Sequence, residues 1–63
     1  MDATRLNFLT TRGPITATFE PALSSDQAEE LATLVREPGS DEEISLLLQS
    51  MADYWGLYLV IDR

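Results

Sequence analysis

Carboxylates are the only side chains in this sequence whose numbers and spacing suit acid–base chemistry. Glu29 and Glu30 form one cluster, and Asp41, Glu42 and Glu43 form another. Paired carboxylates can serve as proton donor and acceptor when a cleft drives their pKa values apart. Both clusters, however, fall in the first turns of expected helices, where acids complement the helix dipole and the cap. Structural use is therefore the expected one. The chain has neither His nor Cys. It thus lacks the commonest general base and metal ligand, any thiol nucleophile, and any disulfide. Ser and Thr are plentiful, but no base accompanies any of them. No Asp, Asn and Glu spacing matches a calcium loop. The expectation is a protein that is not an enzyme, with no catalytic, cofactor-binding or metal-ligating residue and no small-molecule substrate.

The residues better suited to contact are Tyr54, Trp55, Tyr58 and Val60. Trp and Tyr dominate binding hot spots because they bury large areas and keep a polar tip. The competing use is structural, with Trp55 closing a small core against the rest of the chain. Tyr54 and Tyr58 are freer to face solvent.

Eleven acids stand against four Arg and no Lys, for a net charge of −7. A phosphate backbone or an anionic membrane surface would repel such a chain, so neither nucleic acid nor membrane is an expected partner. Basic proteins are the electrostatically favoured ones, although the same charge also keeps a small protein dispersed. Met1-Asp2-Ala3-Thr4-Arg5 lacks a basic region followed by a long apolar stretch, so no secretory leader is expected. The longest apolar run, Leu57–Ile61, is far short of the roughly 20 residues that span a bilayer. A cytoplasmic protein is expected.

A chain of 63 residues, read as one small domain, buries only roughly 60% of its unfolded surface. With no disulfide or metal to staple it, self-association or a protein partner is the expected stabiliser.

The elements that position these residues follow from periodicity. Residues 5–11 and 15–20 read as the arms of a β-hairpin, joined by Arg12-Gly13-Pro14. The second arm alternates Ile15, Ala17 and Phe19 with Thr16, Thr18 and Glu20. In the first arm Leu6 and Phe8 alternate and Leu9 breaks the pattern. A first helix begins at Ser24, which with Gln27 forms a capping box and with Leu23 and Ala28 a hydrophobic staple. Its stripe is Ala28, Leu31, Ala32 and Val35, widened by Leu34, and Pro38-Gly39 stops it near Arg36 or Glu37. A second helix starts at a capping box of Ser40 and Glu43. Ile44, Leu47, Leu48, Met51 and Trp55 follow at helical spacing, flanked by Leu46 and Tyr54, and Gly56 is the natural terminator.

Leu57–Ile61 then reads as a strand buried on both faces. Its unbroken apolar character favours a central place in the sheet, or an edge completed by another chain. Either Tyr58 and Val60, or Leu57, Leu59 and Ile61, should face that second chain, while Asp62 and Arg63 are expected to be solvated. Strand, strand, helix, helix, strand implies an α+β fold. The hairpin and the C-terminal strand form a small three-stranded sheet, with both helices on one face.

The stretch Leu9-Thr10-Thr11-Arg12-Gly13-Pro14-Ile15-Thr16-Ala17-Thr18-Phe19-Glu20-Pro21-Ala22-Leu23-Ser24-Ser25 gives a short strand, a Gly turn and an alternating strand that closes on Pro. An acidic helix follows. In this, and in a later apolar strand that begins near Trp55, the chain resembles small tail-assembly, chaperone-like proteins of long-tailed bacteriophages. The resemblance implies a non-enzymatic phage assembly factor or small structural protein, in the host cytoplasm or the virion, that binds other tail proteins. The alternative is an acidic inhibitor of the antitoxin, anti-defence or DNA-mimic type that binds a basic protein. For DNA mimicry the acids would have to line one face, whereas the sequence gathers them at two helix starts.

Overall fold

The structure, a computed structural model, describes residues 2–63; Met1, which opens the segment read as leader-free, lies outside the described residues. The elements are β1 (Thr4–Thr10), β2 (Gly13–Glu20), α1 (Ser25–Leu34), α2 (Asp41–Trp55) and β3 (Tyr58–Asp62). They build the expected α+β fold, with a three-stranded sheet in the order β1-β2-β3. Both pairings are antiparallel.

The hairpin forms because its two arms alternate in phase. Register places Phe8 opposite Ile15, Leu6 opposite Ala17 and Thr4 opposite Phe19, so their side chains share one face. The turn is tighter than the expected Arg12-Gly13-Pro14. Thr11 and Arg12 make it, and Gly13 already pairs with Thr10 at a φ of 119°. Thr10 is the one buried polar residue among those described, and the turn explains it. Its hydroxyl donates to the Gly13 carbonyl at 2.7 Å and accepts the Arg12 N–H at 3.1 Å.

The Ser24 box closes in both directions. The Ser24 hydroxyl accepts the Gln27 N–H at 3.1 Å, and Gln27 Oε1 accepts the Ser24 N–H at 2.9 Å. At α2, Ser40 accepts the Glu43 N–H at 3.0 Å, the N-cap half of the motif. α1 stops two or three residues before the expected end. Val35 turns extended (φ −81°, ψ 124°) while its N–H still reaches the Leu31 carbonyl. This keeps Val35 buried beside Leu31 but leaves Ala32 and Leu34 exposed, so Leu34 does not widen the stripe. α2 ends where Gly56 enters the left-handed region (φ 70°), and the Leu57 N–H returns to the Ala52 carbonyl at 2.8 Å. That is the Schellman arrangement, which glycine adopts at no steric cost.

The core joins Phe8, Ile15, Ala17 and Phe19 of the sheet to Leu31, Val35, Ile44, Leu48 and Ala52 of the helical layer. Of the two places open to the last strand, a central one or an edge, the structure shows the edge, and its expected burial on both faces is corrected. β3 is an edge strand, and β2 is central. Nor is β3 buried on both faces: Leu59 and Ile61 pack against the core, while Tyr58 and Val60 are exposed. The reason is the return from α2. The short link through Gly56 lays β3 on the free edge of β2, and the helices cover only one side of the sheet.

Candidate protein-interaction surface

The face of the sheet turned away from the helices is built in cross-strand rows. Arg5, Thr18 and Val60 form one, Asn7, Thr16 and Asp62 the next, and Glu20 pairs with Tyr58. Thr16 donates to Asn7 Oδ1 at 2.9 Å. Leu9, whose break in the alternation put it out of phase with Leu6 and Phe8, falls on this same face opposite Pro14. No element covers it. Tyr58 is 83% exposed and Val60 56% exposed. Tyr58 also borders a shallow cavity of about 270 Å³ with Asp2, Glu20 and Pro21.

The four expected contact residues do not form one patch. Tyr58 and Val60 share the open sheet face, whereas Tyr54, 82% exposed, belongs to the helical layer. Trp55 is half-buried against the core, which is its structural use.

The two edges of the sheet differ. On β1, the Leu9 N–H donates outward to Glu37 Oε1 at 2.6 Å, and the Thr11 N–H to the Gly39 carbonyl at 2.9 Å. The Leu23 N–H meets Thr4 Oγ1 at 2.8 Å. Of the outward-pointing backbone groups of β1, those of Arg5, Asn7 and Leu9, these bonds occupy the Leu9 N–H alone, so the segment after α1 covers the turn end of that edge. These bonds also fix the phase of the whole ladder. Because Leu9 points its N–H away from β2, the pairs Leu9–Pro14, Asn7–Thr16 and Arg5–Thr18 are the non-hydrogen-bonded ones. Thr16 and Thr18 must then bond to Asp62 and Val60 on the other side. It follows that the N–H and C=O groups of Leu59 and Ile61 point outward from β3. Among the described residues none of these four groups has a protein partner. Pro14 sits beyond the last β2–β3 pair, Thr16–Asp62, so its missing N–H costs the ladder nothing.

Arg63 is not simply solvated. Its Nε donates to Asp41 Oδ2 at 2.9 Å, and its Nη2 to Asp41 Oδ1 and Ser45 Oγ, each at 3.1 Å. The fork holds the Asp41 carboxyl below its ordinary range, burial opposes this, and the Ser45 hydroxyl assists. The same pair raises Arg63. Element lengths could have revealed this contact. A helix of 15 residues rises about 22 Å and the strand back covers about 20 Å, so the start of α2 and the end of β3 meet. Asp41 and Arg63 line a second cavity of about 300 Å³, together with Arg12.

The remaining acids of the two clusters, Glu29, Glu30, Glu42 and Glu43, are exposed on their helices. Among the described residues no group of three or more His, Cys, Asp or Glu is arranged to hold a metal ion, and no helix is long and apolar enough to cross a membrane. Comparison with protein-family models, with curated proteins and with solved structures finds no match for this chain.

Proposed function

We propose that this chain is a non-enzymatic protein–protein interaction module that makes its contact through β3. The observation that carries the reading is the division of labour along that strand. Leu59 and Ile61 complete the core, while Tyr58 and Val60 stand exposed on a face no element covers. An exposed Tyr beside a β-branched residue on a rigid strand offers large, preordered contact area at little entropic cost. The resemblance to phage tail-assembly proteins supplies the setting proposed for it, assembly or minor structure in a long-tailed virion.

Tyr58→Glu tests the reading. The residue is 83% exposed, so the variant should keep the wild-type circular dichroism. It should lose the proteins that the wild-type chain retains when tagged and recovered beside tail proteins. An unchanged set of bound proteins, or an unfolded variant, would refute the assignment of this face.

A second reading, an acidic inhibitor of a basic protein, is favoured by one observation. Asp26, Glu29, Glu30, Glu42 and Glu43 are all exposed, while Arg63, one of only four cations, is spent on Asp41. Binding of that kind weakens as salt rises. Contact through Tyr58 and Val60 does not.

A further inference from the structure

We infer that the partner of β3 is a second copy of this chain, joined edge to edge across a two-fold axis at Val60 to give a continuous six-stranded sheet. The inference rests on the protein-contact reading above and names its occupant. Natural edge strands are usually blunted by Pro, Lys, bulges or a covering segment. β1 follows that rule at its turn end, which Glu37 and Gly39 cover, and through the charged Arg5 along its open stretch. β3 follows it least: Tyr58-Leu59-Val60-Ile61 has no Pro, no charge and no covering segment, and the one charge of the strand is Asp62 at its end.

Self-pairing fits the phase of the edge. The outward-facing groups of β3 belong to Leu59 and Ile61, and an antiparallel two-fold at Val60 sets Leu59 of each copy opposite Ile61 of the other. Each such pair exchanges both of its hydrogen bonds. Val60 meets its symmetry mate as a close non-hydrogen-bonded pair, which joins two exposed apolar side chains. Tyr58 falls beside the partner's Asp62, so a phenol hydroxyl meets a carboxylate and the two Asp62 carboxylates stay apart. Parallel pairing would bring like charges together. On the helix side, the half-buried Leu59 and Ile61 of one copy abut those of the other and extend the core.

Each chain carries a charge of −7, so the two copies repel at long range, and screening should strengthen the dimer. This is the opposite of the salt dependence expected for an acidic inhibitor on a basic protein. The contact is one short strand with its flanking side chains. Interfaces of that size are weak, so the dimer should form at high protein concentration.

The chain has no native Cys, which allows a clean test. Val60→Cys and Tyr58→Cys are each oxidised with copper–phenanthroline and run beside sedimentation velocity of the unmodified chain. In the proposed register the two Val60 Cα atoms lie about 4.5 Å apart, within disulfide reach. The two Tyr58 Cα atoms lie four residues out of register, roughly 13 Å apart. Val60→Cys should therefore give a covalent dimer at least tenfold faster than Tyr58→Cys, and the wild-type dimer fraction should rise with both protein and salt concentration. Equal rates for the two variants, or a monomer at every concentration and salt, would overturn the second-copy inference. If Tyr58→Glu still lost bound proteins in that case, the contact reading would stand with a different occupant. If it lost none, both would fall.

Discussion

Asp41 shows how one residue ties the ends of two elements together. Its carboxylate sits in the first turn of α2 and accepts both the Arg63 fork and the Ser45 hydroxyl. Its side chain is only 12% exposed, against 57% for Arg63. Because the pair holds the folded-state pKa of Asp41 below its unfolded value, its contribution is fully present above the unfolded pKa. It is lost as pH falls through the depressed folded value. Asp41→Asn should therefore be less stable than wild type at neutral pH, and the difference should close under acid conditions. Urea denaturation of both proteins at neutral and acid pH measures it, and a gap that does not change with pH would contradict the assignment. In the sequence Asp41 reads as a helix-start acid and Arg63 as a solvated end, since nothing local links residues 22 apart. The link exists only once the helix and strand lengths are compared.

At the scale of elements, what the sequence made legible was what local chemistry decides. The Ser24 and Ser40 caps, the Gly56 stop and the alternation of β2 all follow from nearest-neighbour rules. The place of β3 did not, because an apolar run reads the same in a central strand as in an edge strand whose outer face is left for something else. The end of α1 was also hidden, since Val35 lies on the helical stripe and still leaves the helix. On α2, Leu48 is fully buried and Leu46 is 68% exposed. Leu48→Ala should cost about 2–5 kcal/mol, enough to unfold much of a chain this small, whereas Leu46→Ala should change stability by no more than about 0.5 kcal/mol. Thermal melts of the two variants check the contrast, and similar losses would mean that the helix face is wrongly assigned. The segment between the helices carries the cover of β1. A Cβ on Gly39 would stand 2.7 Å from the Arg36 carbonyl oxygen, so Gly39→Ala must displace that segment. The Leu9 and Thr11 amides, bonded to Glu37 and Gly39, should then exchange faster with solvent than in wild type. Unchanged exchange would mean that the segment does not protect the edge.

The whole molecule is already compact as a single copy. Its radius of gyration is 10.7 Å, against about 10.6 Å expected for a domain of this length. Association is proposed as an addition to a core that closes within one copy. Leu59 and Ile61 close the core from within, while their backbone groups and the Tyr58 and Val60 side chains are left for contact. The contact residues were half legible. Tyr58 and Val60 could be named from their types, but Trp55 went to the core and Tyr54 to the opposite layer, because the sheet lies between them and the open face. Backbone amide hydrogen exchange, read residue by residue along β3 in dilute and in associated protein, tests the central claim most directly. In dilute protein Leu59 and Ile61 should exchange fast and Val60, bonded to Thr18, slowly; on association Leu59 and Ile61 should slow while Val60 is unchanged. Leu59 and Ile61 amides that are protected in the dilute monomer, or that stay fast when the protein is associated, would contradict a module that binds through the edge and open face of β3.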